Sequence, residues 1–457
     1  MRNTAVLLVL IIAAMAAPLS AQAPAVGQEI PAADRDLTAA EKVQGLSQIW
    51  AEAKYNFAFF HQVPELDWDS AYWAFLPRVM ETPSTAAYYR ELQRFVALLE
   101  DGHTGVTLPR WYYEESVESY PWVLPQAVGR RALVRNVGRS LAEEIPVGSE
   151  IVAVDGRSLE AYLREHTFPY IAHGADHIRW DWGIYALLRG EPDTPVRLAW
   201  VTPDGERRER TLYRDRRSRD DAWVEENPPR PGPFELKWLD GDIAYVALNT
   251  FADPAVADSF EAALPALARA RGLVVDIREN GGGSSGIGWR VAEHLTDRPL
   301  ESARWATREH RAAHRVWGQH GDRYREYAEL DAWFDGGTQT IEPADTRLLV
   351  PTVVLQGHGT ASAAEDFLIA LESVPHVTTV GQLTFGSTGQ PYSFPLPGGG
   401  SARICTKKDT YPDGREFVGY GIRPDAAVPL TIEDARAGRD AALERGVELL
   451  RERMGGG

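Results

Sequence analysis

The stretch Thr352-Val353-Val354-Leu355-Gln356-Gly357-His358-Gly359-Thr360-Ala361-Ser362-Ala363-Ala364-Glu365 decides how this chain is read. A β-branched, apolar run comes first, and two glycines follow it. Phe367, Leu368 and Leu371 then recur at helical spacing. This order predicts a buried strand, a glycine turn and a helix, with Ser362 where the helix begins. The first N–H groups of a helix have no intrahelical partner, and the helix dipole is positive there. A serine at that point is placed to attack a carbonyl whose oxygen turns negative. It also makes an ordinary helix cap. The stretch alone permits both readings.

Upstream, Ile243 to Leu248 reads as a strand, and Asp253-Pro254 opens a helix with Phe260, Leu264 and Leu267 on one face. Leu273 to Arg278 is a second buried strand. It runs into Glu279-Asn280-Gly281-Gly282-Gly283, and Ile287 to Leu295 is helical. Alternating strands and helices predict a largely parallel sheet with right-handed crossovers. No Gly-Lys-Ser/Thr follows the triple glycine, so it is not a phosphate loop. It does let a ligand approach the backbone, where free N–H groups can hold a carbonyl oxygen.

Further upstream, Pro31 to Pro109 has a helical pattern. Asp36-Leu37-Thr38-Ala39-Ala40-Glu41 carries good caps, and Val43, Leu46, Ile49 and Trp50 keep helical spacing. Helices over Trp68–Val79 and Thr85–Leu99 follow. The last ends in Glu100-Asp101-Gly102-His103-Thr104-Gly105-Val106, a histidine between glycines. Histidine takes and returns a proton near neutral pH, although most lone histidines are structural.

Residues Pro121 to Asp215 form a β-rich unit. It contains Ile145 to Val154, the tight turn Asp155-Gly156, and the alternating strand Val196-Leu198-Trp200. This pattern resembles a PDZ domain, a module that binds extended peptide ends by strand addition. The insert Thr167 to Tyr185 departs from that pattern. Its His173 and His177 read as surface residues, with metal ligation as the other reading. His310 and His314 share helical spacing but lack a third ligand. Asn227 to Pro233 is a proline-rich linker.

The chain has 457 residues and a formal net charge of −17, which argues against nucleic acid and anionic membranes as partners. Cys405 is the single cysteine, so no intrachain disulfide forms and no cysteine zinc site exists. Residues 1–23 have a basic start, an apolar core and small residues, the order of a secretory signal peptide. A periplasmic or secreted location is the expectation.

Taken together, the histidine turn, the Asp276-Ile277-Arg278 strand with its triple glycine, and the Ser362 elbow occur in one order around a PDZ-like unit. This resembles the C-terminal (tail-specific) processing peptidases and the tricorn protease core over about His103 to Leu430. The resemblance implies a crotonase-like (ClpP/crotonase) α/β catalytic domain at 234–430, with an N-terminal helical region at 31–110 and an inserted PDZ-like domain at 120–215. A C-terminal helix and tail would occupy 431–457. It implies a serine peptidase without cofactor or metal, acting on peptides or unfolded proteins, and a homo-oligomer is compatible with it. Ser362 matches the nucleophile, and the N–H groups of Ala363 and of Gly281 or Gly282 match the oxyanion hole.

The base departs from the bacterial processing type, whose lysine position is held here by Ser387 in Phe385-Gly386-Ser387-Thr388-Gly389. The tricorn-like branch uses a histidine, matched by His103, and a glutamate, matched with a two-residue shift by Glu416. Gly102 stands where tricorn has a serine that helps hold the histidine. His358, Lys407 and Lys408 are rival bases. Glu365 and Asp276 read as structural. The alternative function is a non-hydrolytic protein that binds peptides or hydrophobic ligands on the same fold.

Overall fold

The computed structural model describes residues 36–114, 118–214, 222–225 and 231–455. The expected signal peptide and most of the proline-rich linker lie outside these residues.

A six-stranded sheet carries the molecule. Its order is Ala426–Ala427, Val377–Gly381, Thr352–Gln356, Gly272–Asp276, Ile243–Leu248 and Phe234–Leu239. All neighbours are parallel except the last pair. Parallel strands are covered on both faces, and this accounts for their unbroken apolar runs. Every residue of Ile243–Leu248, Gly272–Asp276 and Thr352–Gln356 is buried. Ala244, Val246, Val275 and Val354 point into the larger core, which holds the helices Ala255–Leu267 and Ala363–Leu371. Tyr245, Val274, Val353 and Leu355 point the other way, against Leu450 of the C-terminal helix Ala441–Gly455. A Cβ on Gly446 of that helix would come within 2.9 Å of Val353, so glycine sets how closely the helix lies on the sheet.

The C-terminal segment, expected as one helix from Thr431, is two. Thr431 caps Ile432–Ala437 through the Asp434 N–H, but Gly438 adopts φ +61° and ends the helix.

The helices Ala39–Asn56, Trp68–Met80 and Thr85–Ala97 start at the side-chain caps Thr38, Asp67 and Ser84, Thr38 in a capping box with Glu41. Their aromatic stripes are core: Trp68 stacks on Phe95 with ring centres 4.2 Å apart. They share one continuous hydrophobic core with the parallel sheet.

The unit between them has its own core, around Val134, Ile151, Leu198 and Trp200. Its sheet runs in the order Val123–Val128, Arg131–Val137, Glu150–Val154, Pro195–Val201, Arg207–Tyr213. Asp155 (φ +49°) and Gly156 (φ +77°) make the expected tight turn. The insert forms a helix, Asp176–Ala186, and reaches back to the parallel sheet. Ala175 and Ile178 pack on Ala361 and Phe385, next to Ser362. His173 is therefore 1% exposed, where a surface position was expected.

Candidate active site

The elbow is built from the strand outward. After Gln356 the turn is held by Thr360, whose hydroxyl donates to the Ile277 carbonyl (2.9 Å) and accepts the Gly357 N–H (3.1 Å). The Ala361 N–H donates to the Asn280 carbonyl at 3.0 Å. Ser362 then sits at φ +56°, ψ −123°, and the helix Ala363–Leu371 begins behind it. A non-glycine residue in that region is strained by about 1–3 kcal/mol and persists only where its surroundings impose it. A sharp strand-to-helix turn of this kind exposes a serine Oγ.

The glycine loop presses on this elbow. A Cβ on Gly282 (φ +96°) would lie 2.7 Å from the Ser362 Cβ, and one on Gly283 (φ +138°) would overlap the Phe251 backbone. Asn280, fully buried, anchors the loop: its Nδ2 donates to the Leu248 carbonyl (2.9 Å) and its Oδ1 accepts the Gly282 N–H (3.0 Å). That bond separates the two glycines. The Gly282 N–H is committed to Asn280, so Gly281 remains the loop's candidate donor alongside Ala363, while Gly282 supplies close approach.

His103 is held from three sides. The Thr104 hydroxyl accepts the Cys405 N–H at 3.0 Å, Arg403 donates to the Gly102 carbonyl at 3.2 Å, and Gly105–Thr107 pairs with Ser401–Cys405. The ring is 5% exposed, and its Nδ1 lies 2.7 Å from the Ser387 Oγ. Ser387 in turn donates to the Asp101 Oδ1 at 3.1 Å. Burial, with Arg403 and Lys407 adding to it, lowers the His103 pKa to about 3. Burial raises that of Asp101 from its ordinary value. The Ser362 N–H points to the Ser387 carbonyl at 3.2 Å, so Ser387 bonds to both Ser362 and His103.

Glu365 ties the same turn to the helix. Its carboxylate accepts the N–H groups of Ser362 (3.1 Å), Gly386 (2.8 Å) and Ser387 (3.2 Å). Burial outweighs these bonds and pushes its pKa to about 8. Asp276 likewise holds the Tyr245 hydroxyl (2.7 Å) and Arg278, a structural role as expected.

Glu416 is corrected. Its carboxylate pairs with His61 at 3.1 Å and with Lys408, on a half-exposed surface. The bond at His103 Nδ1 goes to Ser387 instead. The rival bases are also engaged elsewhere. The Lys407 ammonium lies 2.9 Å from buried Asp409, and the charges of Asp409 and Asp366 overcome its desolvation and raise its pKa. His358 pairs with Asp181 of the insert helix at 2.5 Å. His177 donates to the Thr384 carbonyl at 2.7 Å. His310 precedes the helix Ala312–Gly318 instead of sharing it with His314. No cluster of three His, Cys, Asp or Glu suited to a metal occurs among the described residues.

Asp101, Asn280 and the hydroxyl of Ser387 escaped the reading of the sequence. Asp101 offered a signal, an acid two residues before the histidine. Ser387 carries no signal of its own beyond standing where the processing type has a lysine.

Residues 242–428 match the model of peptidase family S41. A carboxy-terminal-processing protease of Bartonella bacilliformis is 26% identical over 211 residues, 45% of this chain and 43% of that protein. The match thus spans less than half of the curated relative. Mature CPAF superposes with a TM-score of 0.69 at 17% identity, covering 90% of this chain and 96% of that one. A structure titled as a putative peptidase from Parabacteroides merdae gives 0.53 at 20% identity, covering 91% and 97%. At such identities these two likenesses speak for the fold alone. The strained serine elbow, the glycine loop against it and the matched segment agree, and residues 242–428 of this chain are a domain of peptidase family S41.

Proposed function

We propose that this chain is an exported serine peptidase that hydrolyses peptide bonds in peptides or unfolded proteins. The observation that carries the reading is the position of Ser387, bonded through its carbonyl to Ser362 and through its hydroxyl to His103. Ser362 Oγ attacks the carbonyl carbon while His103 Nε2, the ring nitrogen that Ser387 leaves free, takes its proton. The new O–C bond places negative charge on the former carbonyl oxygen, and the N–H groups of Ala363 and Gly281 receive it. The C–N bond then breaks, and His103 returns the proton to the leaving amine. Water repeats the sequence on the acyl-enzyme and frees Ser362.

The catalytic unit is read as crotonase-like and the unit at 120–215 as PDZ-like. Supporting the latter, Val123–Val128 is an edge strand. It lines a cavity of about 640 Å³ together with Arg135, Tyr185 and His358. An extended peptide adding to that edge suits strand addition. Export rests on the order of residues in 1–23. Among the described residues no helix is long and apolar enough to cross a membrane.

The test is labelling with a fluorophosphonate probe and hydrolysis of an unstructured peptide. Both occur in the wild type and vanish in Ser362→Ala. Equal labelling of the two proteins overturns the reading.

A further inference from the structure

We propose that Ser387 and Asp101 form a positioning relay that fixes the tautomer of His103, taking the place of Glu416. The inference rests on the serine-peptidase reading and assigns the orienting group within it.

A serine hydroxyl carries one proton. Ser387 gives it to the Asp101 Oδ1 at 3.1 Å, so at 2.7 Å from His103 the same oxygen can only accept. The ring proton must then lie on Nδ1, and Nε2 keeps the lone pair that a general base needs. All three residues are buried, at 2%, 5% and 0% exposure for Asp101, His103 and Ser387. Water does not compete for these bonds, and an alternative tautomer would leave a donor or acceptor unmet. When His103 holds the Ser362 proton, its positive charge faces the Asp101 carboxylate through one hydroxyl.

The placement of Ser387 is over-determined. Its N–H donates to Glu365 at 3.2 Å and its carbonyl accepts the Ser362 N–H at 3.2 Å. Gly386 before it takes φ +74° and packs on Gly421 so closely that a Cβ would lie 2.5 Å from its nitrogen. The helix that carries the nucleophile thus also positions the group that orients the base.

Two measurements on the full chain test the relay. Nitrogen-15 NMR of labelled imidazole reads the tautomer directly, without substrate. Nδ1-protonated His103 is expected in the wild type, and Nε2-protonated His103 overturns the relay whatever the variants do. Kinetics on one peptide supply the second arm. Ser387→Ala is expected to lower kcat about 10–10²-fold with KM nearly unchanged, and to move the ring toward the Nε2–H form. Ser387→Thr, which keeps the hydroxyl, restores most of the loss. Wild-type kcat in Ser387→Ala overturns the proposal. If the wild type shows no turnover that Ser362→Ala abolishes, the peptidase reading fails, while the NMR result still decides the tautomer.

Discussion

A Cβ built on Gly102 falls 2.7 Å from the Nε2 of His173 and 2.8 Å from Phe385. The position next to His103 is therefore closed to any side chain. The insert of the β-rich unit fills the space, which explains why this chain needs a different residue to hold its histidine.

Gly102→Ser is accordingly expected to destabilise the protein. Overpacking of a buried site typically costs about 1–3 kcal/mol, and both neighbours here are rings with little freedom to move. Thermal unfolding should show a lowered Tm, and the serine should bring no gain in kcat. An unchanged Tm would mean that the insert does not seat against the histidine turn.

Asp101→Asn should cost far more turnover than Glu416→Gln. An asparagine amide donates toward Ser387, reverses the relay and leaves the proton on His103 Nε2. Placing a catalytic histidine in the wrong tautomer costs up to about 10⁴-fold in a serine protease of another fold, and a loss of about 10²–10⁴-fold in kcat is expected here. Glu416→Gln removes a partly exposed pair with His61 and Lys408, and its effect should stay within about tenfold. The reverse ranking, measured on one peptide, would return the orienting role to Glu416.

Gly282→Ala should nearly abolish labelling by a fluorophosphonate while Asn280 still anchors the loop. The added methyl meets the Ser362 Cβ at 2.7 Å and the Ala363 nitrogen at 3.1 Å, and a left-handed φ of +96° strains alanine further. Loss of oxyanion stabilisation alone is worth about 10²–10³-fold. A second-order labelling rate equal to wild type would show that the loop does not frame the nucleophile.

The pH profile should lack an ordinary histidine step. Burial, Arg403 and Lys407 lower the His103 pKa to about 3, and the groups facing it are Ser387, Asp101 and the neutral, buried His173. Protonation of His103 removes activity as pH falls. The acid limb of kcat/KM should therefore have its midpoint below the ~6.5 of a free imidazole. The stability contribution of His103 has the same sign. Its folded pKa lies below the unfolded one, so the contribution is present above about 6.5 and is lost as pH falls toward about 3. A limb centred at or above 6.5 would refute a buried base.

Local pattern determined a good deal of this protein. The apolar runs at Val353, Val274 and Val246 gave away parallel strands, because burial on both faces leaves no polar alternation. Thr38 and Asp155-Gly156 marked their own cap and turn, since those bonds close within four residues. Ser362 was legible because the elbow lies within a single strand-turn-helix segment. The partner of His103 was not legible in the same way. Asp101 and Ser387 are separated by 286 positions, and Glu416 offered an equally plausible carboxylate from motif order alone. Likewise His173 and His358 look like surface or catalytic histidines until the insert folds back onto the elbow. Which buried donor meets which acceptor depends on how distant segments pack, and only the tertiary structure settles that.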